Sequence, residues 1–170
     1  MKTRWDPFKL EPITQPSGLC SVLRKIVNTD PSRQRALLEI LDKVPKAIIF
    51  YSFDYELEIL LNLKYIEGTQ VAQYNGHLHE PIPTGDRWVY ICNIAGCEGW
   101  NCTDTDTVIF FSQSYSFKCT EQGRGRIDRV NTSYRDLNYY YLKSKSGIDL
   151  AISKALSQKK NFNEARWVGW

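Results

Sequence analysis

Gln122-Gly123-Arg124-Gly125-Arg126-Ile127-Asp128-Arg129 is the stretch from which the fold is read. Helical spacing would set Gln122, Arg126 and Arg129 on one stripe at i, i+4 and i+7, with Arg124 turned the other way. A glycine inside a helical turn costs about 1 kcal/mol relative to alanine. The segment thus gives up local stability where a second backbone or a ligand needs close approach. A plain solvated basic helix has little reason to carry that cost.

Upstream lies Cys92-Asn93-Ile94-Ala95-Gly96-Cys97-Glu98-Gly99-Trp100-Asn101-Cys102-Thr103, held between two apolar runs, Trp88 to Cys92 and Thr107 to Ser112. Their length, β-branched and aromatic content and flanking turn residues predict buried parallel strands of an α/β sheet. A loop of small residues leaves the carboxyl end of the first strand, where open α/β sheets place their ligands.

These segments together resemble the second RecA-like domain of superfamily 2 helicases and translocases. The eight-residue stretch is similar to that group's sixth motif, Gln-x-x-Gly-Arg-x-x-Arg, and Glu98-Gly99-Trp100-Asn101 to its fifth. Lys46-Ala47-Ile48-Ile49-Phe50-Tyr51-Ser52, a buried strand leading into a helix, resembles its fourth. Leu137 to Ser144, then Gly147-Ile148-Asp149-Leu150-Ala151-Ile152 and Lys159-Lys160, look like the strand and closing helix of Swi/Snf-type translocases. The wording Glu-Gly-Trp-Asn and Gly-Arg-Ile-Asp-Arg is similar to DEAD-like or Swi/Snf-like helicases of bacteriophages. The resemblance covers residues 46–160 and implies a RecA-like three-layer α/β/α sandwich with a mainly parallel sheet. Residues 1–170 are expected to form one domain, with leading helices over 1–45.

By that resemblance Arg126 and Arg129 are arginine fingers for the γ-phosphate of ATP, and Gln122 is the neighbour that couples nucleotide state to lobe orientation. Gly99 and Asn101 stand where the fifth motif touches nucleotide or the opposite lobe. Glu98 is expected at the interlobe face or beside an arginine, because a carboxylate would repel a nucleic-acid backbone. Asn93 falls where relatives carry a phosphate-contacting threonine, and an amide also donates to phosphate. Ser52 reads equally as a phosphate contact and as a helix N-cap. Trp100 reads as a core or lobe-interface aromatic.

No Gly-x-x-x-x-Gly-Lys-Ser/Thr and no Asp-Glu pair occurs in the chain, so the phosphate-gripping, magnesium-holding half of such a motor is missing. ATP and Mg2+ are then expected to bind mainly to an N-terminal RecA-like lobe, which is the implied partner, and the isolated, monomeric domain is expected to be inactive. Lys118, Arg124, Arg126, Arg129, Arg135, Lys143 and Lys145 outnumber Glu121, Asp128 and Asp136. That balance suits sequence-independent binding of a DNA backbone, with RNA possible. The alternative is a non-catalytic module that keeps the fold and grips nucleic acid or protein.

With 170 residues, 42% of them hydrophobic and 24% charged, and a net charge of +3, the composition fits one domain with a sizeable core. Met1-Lys2-Thr3-Arg4-Trp5-Asp6 has no apolar leader segment and no run reaches spanning length, which gives a cytoplasmic expectation. Five cysteines, an odd number, are expected as free thiols. Cys92, Cys97 and Cys102 recur every five residues, with His77 and His79 upstream, but zinc sites favour tighter paired spacings. Small buried hydrophobes account for them better, so no metal is expected.

Leu19, Val22, Leu23 and Ile26 form one apolar stripe; Leu37, Ile40, Leu41 and Val44 form another behind the cap Asp30-Pro31. A helix is predicted over 54–65, a strand over 69–74 and a turn at Asn75-Gly76. The proline-containing loop 77–87 replaces a helix that related lobes commonly have. Tyr139, Tyr140 and Tyr141 should alternate across a strand.

Overall fold

The structure is a computed structural model that describes residues 4–169. Met1, Lys2 and Thr3, part of the N-terminal stretch read above, lie outside the described residues, as does Trp170. The chain opens with a short antiparallel ribbon, β1 (Trp5–Asp6) and β2 (Glu11–Pro12). Helix α1 (Pro16–Asn28) follows, then α2 (Pro31–Leu41). Asp30 caps α2 by accepting the Ser32 amide at 2.9 Å, and Pro31 occupies the first turn, where its missing N–H costs nothing. The expected stripe on α1 is partly wrong. Ile26 is half exposed, and the buried row is Cys20, Arg24 and Asn28 at i, i+4 and i+8.

The sheet carries five parallel strands in the order β4-β5-β3-β6-β7. They are β3 (Lys46–Tyr51), β4 (Gln70–Tyr74), β5 (Trp88–Asn93), β6 (Thr107–Phe110) and β7 (Asn138–Tyr141). Central β3 pairs with both β5 and β6 at its edges, and its two faces are buried in separate clusters, which explains its unbroken apolar sequence. Edge strand β7 alternates, with Tyr139 and Tyr141 half-buried and Tyr140 more exposed. Tyr141 stacks on Phe110 at 4.7 Å.

Ala47, Ile49, Tyr51, Val89, Ile91, Ile109 and Phe111 face Leu37 and Leu41 of α2 and Leu60 of α3 (Asp54–Leu61). Ile48, Phe50, Trp88, Tyr90, Cys92, Val108 and Phe110 form the opposite face, covered by α4 (Phe117–Arg124) and irregular chain. Helices α5 (Gly147–Ser157) and α6 (Glu164–Val168) close a third cluster with α1 around Cys20, Ile148, Ile152 and Phe162. Helix α3 ends at Leu61 instead of near 65, because Asn62 turns its side-chain amide back onto the Glu58 carbonyl at 2.7 Å. The 75–87 connection contains no helix. Asn75 Oδ1 accepts the amides of His77 and Leu78, and Glu80 takes the Gln73 amide at 2.8 Å.

Candidate interlobe site

Helix α4 begins at a Ser116 cap, whose hydroxyl accepts the Cys119 amide at 3.2 Å, and it stops at Arg124. Arg126 and Arg129 therefore lie past its last turn, and the single helical stripe expected for Gln122, Arg126 and Arg129 does not form. The Gly125 amide closes on the Glu121 carbonyl at 3.0 Å and the Arg126 amide on Gly123 at 3.2 Å. Ile127 then turns wholly into the sheet face. Burying that side chain contributes roughly 1.5–3 kcal/mol, more than another helical turn of Gly, Ile and Asp would supply.

The two glycines differ. A Cβ on Gly123 would stand 2.9 Å from Ile94 Cδ1 and 3.0 Å from Phe50 Cε2. The close approach read from the sequence is thus made here, by a helix lying flush on the sheet. Gly125 sits at φ −64° as the helix C-cap and would meet a Cβ at ordinary contact distance. Its backbone freedom is not needed.

Arg126 joins two segments. Its Nη1 donates to the Trp100 carbonyl at 2.7 Å and its Nε to the Gln122 carbonyl at 3.2 Å, while the Cys102 amide donates to the Arg126 carbonyl at 2.9 Å. The guanidinium lies 5.9 Å from the Trp100 ring. Side chain and backbone together clamp the loop after β5 to the end of α4. Arg129 is half-buried, and its Nε has no hydrogen-bond partner among the described residues. Arg124 points elsewhere, 4.7 Å over Tyr139.

In the loop, Gly99 takes φ +89°, a backbone state that side-chain-bearing residues rarely adopt. Trp100 packs edge-on to Tyr90 at 5.2 Å and near Phe50 and Tyr74, as a core aromatic would. Glu98 is exposed and meets the Gln122 amide at 3.5 Å, so its partner is that glutamine and not an arginine. Its carbonyl accepts the Tyr74 hydroxyl at 3.2 Å. Asn101 is exposed. The site thus gathers Glu98, Gln122 and Arg126, with Gly99 and Asn101 on the same loop and Arg129 a short turn further on. Cys92, Cys97 and Cys102 lie in the core beneath. Burial pushes the Cys97 thiol up against the opposing pull of Arg126, and Cys92 is raised further.

Ser52 and Asn93 come together at the carboxyl ends of adjacent strands, Tyr51 being in register with Asn93. Asn93 accepts the Ala95 amide at 2.9 Å through Oδ1. Ser52 is not the α3 cap, a position held by Phe53. The amides of Ser52 and Phe53 are taken instead by Glu56 Oε2, at 2.8 and 3.4 Å.

Glu56 belongs to a buried polar network that sequence reasoning missed. It also accepts Asn28 at 2.6 Å and the Ser112 hydroxyl at 3.0 Å, and burial pushes its carboxyl up. Arg24, fully buried, donates to the Gln113 carbonyl at 2.8 Å and lies over the rings of Phe53 and Tyr115. Arg33 pairs with Asp149 at 2.7 Å, both buried. The one available signal was Arg24 and Asn28 falling one and two turns after buried Cys20.

No family model matches the chain. Over 155 residues it is 26% identical to Helicase swr-1 of Neurospora crassa, an alignment that covers 83% of this chain but 8% of that protein. Among solved structures it resembles the C-terminal part of the Fun30 ATPase domain, with a TM-score of 0.58 and 22% identity over 82% of this chain and 48% of the other. It also resembles the Sulfolobus solfataricus SWI2/SNF2 ATPase core in complex with dsDNA, with a TM-score of 0.61 and 19% identity over 92% of this chain and 40% of the other. The chain therefore spans less than half the length of each relative. Its fold is RecA-like, as in the C-terminal part of the Fun30 ATPase domain and the Sulfolobus solfataricus SWI2/SNF2 ATPase core.

Proposed function

We propose that this chain is the C-terminal lobe of an ATP-dependent nucleic-acid helicase or translocase, with ATP and Mg2+ held mainly by an N-terminal lobe. The observation that carries the reading is the Arg126 clamp, which binds the loop of Glu98 to Asn101 against the helix end bearing Gln122. The donor chemistry fits an anion: an amide at Gln122 and guanidinium groups at Arg126 and Arg129. Among the described residues no three His, Cys, Asp or Glu side chains gather as a metal would require.

ATP bound at the facing lobe would supply the transferable phosphoryl group. Charge building on its γ-phosphate oxygens is stabilised by guanidinium groups delivered across the cleft. Arg129, half-buried and with a buried Nε that lacks a partner among the described residues, is the residue assigned to that charge; Arg126, with two donors committed, holds the loop and presents its remaining edge. Gln122 reports the state of the cleft through α4. Gly99 and Asn101 form the loop surface turned toward nucleotide or the opposite lobe.

Ser52 and Asn93 are the proposed phosphate contacts for nucleic acid, at neighbouring strand ends. The relative solved with dsDNA favours DNA as the polymer. The test is DNA-stimulated ATP hydrolysis by the two-lobed protein. Arg129→Ala should lower turnover by about 10³-fold or more with the fold intact. Unchanged turnover would refute the assignment.

A further inference from the structure

We propose that the groove between α5 and α6 binds a single-stranded nucleic-acid segment, as a second contact that rests on the function proposed above. The groove has a volume of about 400 Å³ and is lined by Lys154, Lys160 and Arg166 together with Phe162 and Trp167. All three cations are exposed, and among the described residues no carboxylate lines it. Glu164, the carboxylate of α6, lies near Cys20 and Tyr115 and is not among the residues that line the groove. Trp167 is 37% exposed and rests against Phe162 with ring centroids 5.9 Å apart.

Cations flanking an accessible indole are what a strand with unstacked bases requires. Phosphates are neutralised by Lys and Arg, and any base stacks on an aromatic face without sequence readout. A duplex hides its bases and would leave Trp167 without a role. Lys159 takes φ +58° in the turn that ends α5, where glycine would be the cheaper residue, and this turn places Lys160 at the groove.

The groove is joined to the interlobe site. Asn161, between Lys160 and Phe162, accepts the Phe117 amide at 2.9 Å, and the Phe162 amide donates to the Tyr115 carbonyl at 2.8 Å. Phe117 begins α4, whose far end carries Gln122. A strand held in the groove thus rests on the base of the helix that meets the nucleotide side.

The test is fluorescence anisotropy of a labelled twelve-nucleotide oligothymidylate titrated with the 170-residue chain across a KCl series. Three phosphate contacts predict a slope of log K against log salt of about −2, from roughly 0.7 per contact on single strands. The variant K154E/K160E/R166E should bind at least about tenfold more weakly with a slope near zero. W167A should weaken binding about fivefold or more and leave the slope unchanged. The neutralising variant K154Q/R166Q, with thermal melts of every protein, covers the case in which charge reversal unfolds α6. Unchanged oligothymidylate binding by folded variants would overturn the proposal. Equally damaging would be an oligoglutamate peptide whose binding needs Trp167 while oligothymidylate binding does not. None of these residues belongs to the interlobe site, so failure here leaves the Arg129→Ala result standing, and the reverse also holds.

Discussion

Arg126→Ala should destabilise this lobe before any question of catalysis arises. The guanidinium donates to two backbone carbonyls, Trp100 at 2.7 Å and Gln122 at 3.2 Å, in a half-buried setting. A hydrogen bond from a charged donor contributes about 1.5–3 kcal/mol; partial exposure and the longer second bond place the pair near about 2–4 kcal/mol. Arg126→Lys can keep one of the two and should lose about half as much. Arg129→Ala removes a side chain whose Nε has no partner and should change stability by less than about 1 kcal/mol. Urea unfolding of the three variants, followed by far-UV circular dichroism and read at constant m, measures the differences. If Arg126→Ala unfolds within about 0.5 kcal/mol of the parent, the clamp carries no energy and the reasoning fails. The comparison also governs how ATPase data are read: lost turnover in Arg126→Ala mixes a displaced loop with a lost charge, whereas loss in Arg129→Ala isolates the charge.

Gly123→Ala should be destabilising by about 1–2 kcal/mol, since overpacking against Phe50 and Ile94 outweighs the gain in helix propensity, while Gly125→Ala should be neutral or slightly stabilising; equal unfolding midpoints would contradict the packing described. Arg33→Ala should cost about 3–5 kcal/mol by stranding buried Asp149, and R33M/D149L should recover much of that loss; urea midpoints that do not separate single from double variant would refute the pairing argument. Titration with a thiol-specific disulfide reagent at about pH 8 should modify Cys119 in the native chain and all five cysteines once it is unfolded, because Cys20, Cys92, Cys97 and Cys102 are buried and burial pushes the Cys20 thiol up to about 11. Rapid native reaction at Cys92 would show that the core beneath the loop is open.

The sheet was legible because of its burial. Central strands covered on both faces read as continuous apolar runs, so Lys46 to Tyr51 and Trp88 to Asn93 could be placed from sequence with their order and the loop between them. The end of α4 was not legible. Gln-Gly-Arg-Gly-Arg-Ile-Asp-Arg carries helical spacing throughout, and what stops the helix is Ile127 entering a pocket made by residues from other strands. The same limit hid Arg24, Glu56 and Asp149. A charge in one sequence reads as solvated surface; the partner that makes burial tolerable lies far along the chain, 116 residues away for Arg33 and Asp149.

Three attachments make α4 a rigid strut instead of a surface helix. Its first amide is held by Asn161, its Gly123 lies flush on Phe50 and Ile94, and its end is tied through Arg126 to the Trp100 carbonyl. A helix fixed at start, middle and end cannot swing to follow a nucleotide, so Gln122 and Glu98 keep their relation to the sheet. In the proposed motor, movement during a cycle then falls between this lobe and the one facing it, because Arg126 and buried Ile127 hold the turn after α4 to the sheet as well. On the proposed function, whatever the cleft does to Gln122 it does to the whole lobe, the groove beside Trp167 included, so that a triphosphate in the proposed cleft would shift the proposed grip on nucleic acid without unfolding anything.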